Sequence, residues 1–261
     1  MKVVPKKPFA LRCAHFFSRV GVRLGGNSSR PRSVKFGGKL FVVPNTTEPC
    51  YFQFVAHRAY EIEVVKHLAR EIGIGGTFVD VGANCGLISF QLALLRPDLH
   101  FVCIEPNAAL IPLLQANLEF CHSVKIVPKG LANSNGMTTL YVDDSRPGQS
   151  SMKFKIENGH PQLIPTVSVE DLMKEILSAK PTDIAIKVDC EGMEPEILSS
   201  LLQLDFRVPL VVFESFERAR NYDSKSRVIE MMENNAYFIE PLLWEENSPY
   251  MWSAKLSAND D

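Results

Sequence analysis

The sequence predicts an α/β fold with a mainly parallel sheet and helices on both faces. Three observations carry this expectation. Short, largely apolar runs recur along the chain, as in strands buried on both faces. Segments with helical periodicity alternate with them, as crossover connections require. Four of the runs end on an acid (Asp80, Glu105, Asp189 and Glu214), at the carboxyl ends where ligands of such sheets bind.

The elements follow in order. Residues 1–46 form a basic arm. Met1 to Thr47 hold ten Lys or Arg and no acid, leaving 18 basic and 30 acidic residues from Glu48 onward. The arm has three readings: a solvated, partly disordered segment, an organellar transit segment, or a surface for an anionic membrane or substrate. The folded domain is expected over 47–261, with a short strand in "KLFVVPN" just before it.

"YFQFVAHRAYEIEVVKHLAREIG" repeats apolar residues at three and four, so one helix is expected there, stopped by Gly73, Gly75 and Gly76. "TFVDVGAN" is a buried strand and "GLISFQLALL" the helix after it, broken at Pro97 and Asp98. "LHFVCIEPN", "ALIPLLQANLEF" and "VKIVPKGLAN" continue as strand, helix and strand. "GMTTLYVDD" and "SSMKFKI" suggest shorter strands. "TVSVEDLMKEIL" runs from a strand into a helix, with Ser168 and Asp171 at N-cap spacing. "DIAIKVDCEG", "MEPEILSSLLQL" and "PLVVFES" are strand, helix and strand. A helix near "SKSRVIEMMENN" and strands in "YFIEPLLW" and "YMWSAK" close the chain.

The net charge of -2 makes no whole-chain case for nucleic acid. No stretch approaches about 18 consecutive apolar residues, so no membrane span is expected. The six cysteines form no C-x-x-C and no zinc-finger spacing, which suggests a reducing compartment. The expected location is the cytoplasm, with organellar targeting by the arm as the alternative.

"FVDVGANCGLISF" turns from strand to helix through Gly82 and Gly86. Dinucleotide spacing fails, because Asn84 and Leu87 occupy the second and third glycine positions, and no Walker A loop occurs. The remaining fit is a ligand with ribose and adenine but no phosphate, which is S-adenosylmethionine. Gly82 would let the backbone approach its methionine part. Asp80 would face its ammonium, and Glu105, 25 residues on, would accept from the ribose hydroxyls.

"DVGANCG", "IEPN" and "IKVDCEGMEPEIL", with "RAYEIE" and "TVSVEDL", resemble the FkbM family of S-adenosylmethionine-dependent methyltransferases. The resemblance runs from about residue 47 to about 215. Cys85 and Cys190 stand where the family more often has an aliphatic residue. It implies a Rossmann-like class I methyltransferase fold: a mainly parallel seven-stranded sheet with a C-terminal antiparallel strand. It implies O-methylation of a hydroxyl on a small molecule or glycan. Asp80, Gly82, Ala83, Asn84 and Gly86 would surround the methionine and ribose. Glu105 would take the ribose, with Pro106 and Asn107 at the adenine edge and Gly130, Leu131 and Ala132 as an adenine wall. Glu61 would reach the ammonium or pair with a base on its helix.

For catalysis, Asp189 or Glu191 is the expected base or substrate anchor, with Lys187 beside them on one side of the strand if it stays regular. The alternative is a charge network that only holds the turn. A divalent cation between Asp189 and Glu214 is the less favoured mechanism. His57 and His160 are further candidates, and "SFERARNYDSKSR", with Phe216 and Tyr222, a candidate substrate loop. The other functions left open are methylation of a nitrogen or protein side chain, and an inactive methyltransferase-like binding or regulatory protein. The sequence leaves the oligomeric state open.

Overall fold

The computed structural model describes residues 29–215, 224–245 and 248–257. It opens on an antiparallel hairpin, β1 (Arg32–Phe36) and β2 (Lys39–Val43). Gly37 and Gly38 make the turn, both at positive φ (55° and 77°), as a two-residue hairpin loop requires. Phe41 is fully buried, and its ring lies 4.7 Å from those of both Phe54 and Phe90. Folded structure therefore begins ahead of residue 47. Residues 1–28 of the basic arm, with the transit-like stretch and Cys13, lie outside the described residues.

The single helix expected after the hairpin is two: α1 (Pro49–His57) and α2 (Ile62–Glu71). Arg58 (φ 54°) and Glu61 (φ 45°) leave the right-handed region between them. Gln91 holds the break open, donating to the Tyr60 carbonyl at 2.9 Å and accepting from the Tyr60 amide at 3.2 Å. The apolar periodicity runs through the break because both helices bury the same side.

Then come β3 (Thr77–Val81), α3 (Leu87–Leu95), β4 (His100–Ile104), α4 (Ile111–Leu118) and β5 (Val124–Val127). The strand expected over "VKIVPKGLAN" divides at Pro128, which has no N–H to give a ladder. Its second part, β6 (Gly130–Ala132), joins a separate three-stranded sheet with β7 (Gly136–Val142) and β8 (His160–Ser168), in the order β6-β8-β7. "SSMKFKI" is not a strand: only Ser151 bridges, to Tyr141. The Ser151 hydroxyl accepts from the amides of Lys153 and Phe154 and folds the chain back.

The chain continues through α5 (Val169–Ser178), β9 (Ile184–Val188), α6 (Glu194–Leu202), β10 (Leu210–Glu214), α7 (Ser224–Glu233), β11 (Tyr237–Glu245) and β12 (Ser248–Leu256). Ser168 caps α5 as expected, accepting from the Asp171 amide at 3.0 Å.

The main sheet has the order β11-β12-β10-β9-β3-β4-β5. β3 pairs parallel with β4 and β9, and β10 parallel with β9. β12 runs antiparallel to both β10 and β11 and lies between them. Every residue of β3 and β9 is buried, as expected of central strands covered on both faces. One apolar cluster under the hairpin and α1 to α4 fills one face; the other, under α5 to α7, fills the opposite face. Among the described residues no helix is long and apolar enough to cross a membrane, and Cys50, Cys85, Cys103, Cys121 and Cys190 are free thiols.

Candidate active site

Strand order reverses at β3: the chain first builds outward through β4 and β5, then crosses back to β9. Such a switch point opens a crevice at the carboxyl ends of the strands. Gly82 stands there at φ 78°, and a Cβ on it would lie 1.8 Å from the Asp189 carbonyl oxygen. Only glycine allows β3 and the end of β9 to approach this closely.

A cavity of about 560 Å³ lies over the turn. Of the residues singled out in the sequence, Glu61, Asp80, Gly82, Ala83, Asn84, Lys187, Asp189, Glu191 and Glu214 line it, as does His57. A second cavity of about 50 Å³ adjoins it, reached by Glu105, Pro106, Gly130 and Leu131. Gly86, Asn107 and Ala132 line neither cavity. Gly86 starts α3 at φ 90°, where a Cβ would press on Leu114. Asn107 is buried behind Glu105, and its amide donates to Glu105 Oε1 at 2.8 Å. His160 is exposed on β8, and Phe216 and Tyr222 lie outside the described residues.

Lys187 is the electrostatic centre. Its Nζ lies 2.7 Å from Asp189 Oδ2 and 4.0 Å from Asp80 Oδ1. Burial alone would lower its pKa, but Asp189, Asp80 and Glu61 outweigh it and hold the ammonium charged well above its usual range. Burial likewise works against ionised Asp189, but Lys187 and a hydrogen bond with Glu214 keep it below its ordinary value. Burial and the charge of Asp189 push Glu214 well up, opposite in direction to Asp189. Asp189, Glu194 and Glu214 each bring a carboxylate oxygen within 4.8 Å of the others. Glu194, however, already accepts from the amides of Cys190 and Gly192.

Glu191 leaves the β9 alternation. It sits at φ 54° in the turn that Gly192 completes, and burial with the charge of Asp189 raises its pKa to about 8. Glu61 stands at the left-handed entry to α2 but makes no capping bond. Its Oε2 is buried without a hydrogen-bond partner, and burial raises its pKa to about 7. Asp80 accepts from the Ser89 hydroxyl at 2.6 Å, and burial raises its pKa too. Glu105 accepts from the amides of Asn84 and Asn107, both at 2.8 Å, and is raised to about 7 by burial.

Glu48 carried no signal in the sequence beyond being the first acid of the chain. It is 3% exposed, lines the large cavity, and accepts from the Gly148 amide at 3.2 Å. Burial raises its pKa to about 7. Tyr51 was missed as well, and its hydroxyl donates to Asn84 Oδ1 at 2.6 Å and fixes the glycine turn.

A family model described as the methyltransferase FkbM domain matches residues 80–240, more than half of the chain. The chain belongs to the FkbM methyltransferase family. Its curated relatives match over shorter stretches. Ribosomal RNA small subunit methyltransferase G of Legionella pneumophila (strain Corby) is 29% identical over 99 residues, 34% of this chain and 48% of that protein. The protein of the same name from Salinispora tropica is 38% identical over 63 residues, 23% of this chain and 26% of that one. The chain thus spans about half or less of the length of these relatives.

Among solved structures, a precorrin-6y C5,15-methyltransferase from Geobacter metallireducens GS-15 aligns with a TM-score of 0.44 at 16% identity, covering 76% of this chain and 89% of that one. TYW2 of M. jannaschii, solved in complex with AdoMet, aligns at 0.42 and 13%, covering 86% and 83%. The class I architecture of the chain rests on the strand order given above.

Proposed function

We propose that the protein transfers the methyl group of S-adenosylmethionine to a hydroxyl of a small molecule or glycan. The observation that carries this reading is the crevice at β3, where Gly82 admits a close backbone approach beside Asp80, Glu61 and Glu105. The residues fit the cofactor: buried Glu61 Oε2 and Asp80 Oδ1 have no hydrogen-bond partner, as acceptors awaiting an ammonium would. Glu105 would accept from the ribose hydroxyls, and Gly130 and Leu131 would wall the adenine. When bound, the cofactor supplies an electrophilic methyl on a sulfonium.

An alcohol needs its proton accepted as it attacks. Glu191, raised to about 8 and facing the cavity, would take that proton. Lys187 would keep Asp189 ionised and in place, and the Glu214–Asp189 pair would position the hydroxyl. The names of the curated relatives raise an RNA acceptor. The carboxyl-lined cavity weighs against it, since phosphate contacts call for Lys and Arg.

Calorimetric titration with S-adenosylhomocysteine tests the cofactor. Micromolar-range binding is expected, weakened roughly tenfold or more in Glu105→Ala, with none for NAD. A folded protein that binds neither ligand would sink the reading.

A further inference from the structure

Tyr51 stands outside the sequence motifs quoted above, yet it reaches the glycine turn. It is fully buried on α1, and its hydroxyl lies 2.6 Å from Asn84 Oδ1. The Cys85 amide meets the same oxygen at 2.6 Å. A backbone N–H only donates, so the atom it meets is the oxygen of the Asn84 side chain and not its nitrogen. The Tyr51 hydroxyl therefore donates too. Two donors on one oxygen leave the Asn84 carboxamide a single orientation.

That orientation aims Nδ2 at Gly148, where a Cβ would lie 2.8 Å from it. Among the described residues Nδ2 donates no hydrogen bond, although Oδ1 and the Asn84 amide are both engaged. Asn84 and Gly148 each line both the large and the small cavity, so this donor stands where the two meet. The Asn84 backbone is fixed separately, at φ 56° and through its amide, which donates to Glu105 Oε2 at 2.8 Å.

S-adenosylmethionine carries one anionic group, its carboxylate, and the large cavity is ill suited to an anion. Glu48, Glu61 and Glu191 line it, and its one lysine, Lys187, is engaged by Asp189 and Asp80. A carboxylate there must be received by neutral N–H groups. Asn84 Nδ2 is such a group, and donors on Oδ1 polarise the amide and strengthen its N–H.

Resting on the methyl-transfer reading above, we propose that Tyr51 is a positioning residue for the cofactor: it holds the Asn84 carboxamide so that Nδ2 donates to the methionine carboxylate. An acid-lined crevice can then accept a zwitterion, with Asp80 and Glu61 for the ammonium and Asn84 for the carboxylate. Without the Tyr51 hydroxyl, Oδ1 keeps only the Cys85 amide and Nδ2 loses its fixed aim. The carboxylate alone feels that loss, because Glu105 and the small cavity serve the ribose and adenine.

The test is calorimetry on the full chain with two ligands that differ only in the carboxylate: S-adenosylhomocysteine and its decarboxylated analogue, which keeps the ammonium. Failure of the wild type to bind either removes the methyl-transfer reading itself. The wild type is expected to prefer S-adenosylhomocysteine by at least about tenfold. Tyr51→Phe is expected to weaken S-adenosylhomocysteine by about tenfold and to leave the analogue within about twofold. A merely structural role for Tyr51 would weaken both ligands alike. Asn84→Asp keeps an oxygen for Tyr51 and Cys85 and replaces the Nδ2 donor with a second oxygen. It too is expected to weaken S-adenosylhomocysteine more than the analogue, and circular dichroism checks both variants for fold. Equal binding of the two ligands by the wild type, equal loss of both in either folded variant, or undiminished S-adenosylhomocysteine binding in Tyr51→Phe would each overturn the proposal.

Discussion

At the scale of single residues, Gly82 and Glu191 carry the clearest consequences. A methyl group on Gly82 would meet the Asp189 carbonyl at 1.8 Å, and the positive φ disfavours any other residue. Gly82→Ala is expected to cost more than about 1 kcal/mol in urea unfolding and to abolish S-adenosylhomocysteine binding. Unchanged stability would show that the two strand ends can part freely. Glu191 has a folded pKa of about 8, above its ordinary 4.5, so the native state holds its proton more tightly than the unfolded chain does. Its contribution to stability is complete below about pH 4.5 and is lost as pH rises through about 8. Glu48, Glu61 and Glu105, each raised to about 7, act in the same direction. The thermal midpoint of the ligand-free protein is expected to fall between pH 5 and 9, and to fall less in Glu191→Gln. A midpoint that climbs over this range would contradict the assignment.

At the scale of elements, the segment between β7 and β8 lines the small cavity proposed above for the adenine. Met152 packs on Gly130 so closely that a Cβ there would lie 2.4 Å from its sulfur, and the space beside Glu105 is only about 50 Å³. An adenine placed there, as proposed, would require Met152 to move. Met152→Ala is expected to tighten S-adenosylhomocysteine binding several-fold, by roughly 1 kcal/mol, by removing that displacement. Weaker binding would mean that Met152 packs on the adenine instead.

None of this was legible in the sequence, where "SSMKFKI" alternates like a strand. Its turn depends on the Ser151 hydroxyl, and no periodicity reports a side-chain hydrogen bond. The break between α1 and α2 was hidden for a related reason. Apolar spacing records which side is buried, not the left-handed φ of Arg58 and Glu61. β1 escaped notice because Arg32, Ser33 and Lys35 face solvent. The strand–acid pattern, by contrast, showed plainly where the crevice lies. Buried strands must be apolar, so the polar residues that end them stand out. Glu48 stood out in no such way, because it ends no strand and belongs to no motif.

At the scale of the whole molecule, the crevice joins the two halves of the sheet. A ligand bound there in the native state, as proposed, would be linked to global unfolding. S-adenosylhomocysteine at a hundred times its dissociation constant is expected to stabilise the protein by about 2.7 kcal/mol, read as a rise in thermal midpoint. No shift at saturation would mean that the ligand binds the unfolded chain equally well, or not at all. Both apolar clusters lean on the same central strands, so one cooperative transition is expected by fluorescence and circular dichroism alike.

The position of β12 has a consequence for how the protein is made. β12, the last strand in sequence order among the described residues, lies inside the sheet, paired with β10 on one side and β11 on the other. On the ribosome, β10 and β11 emerge first and cannot reach their final partner until the residues up to Leu256 have been synthesised. Until then the outer edge of β10 presents open backbone donors and acceptors, a template for pairing with other nascent chains. Translation at about 5–20 residues per second leaves that edge bare for seconds. Holding chaperones would matter most in that interval, and truncation ahead of Ser248 would make the exposure permanent.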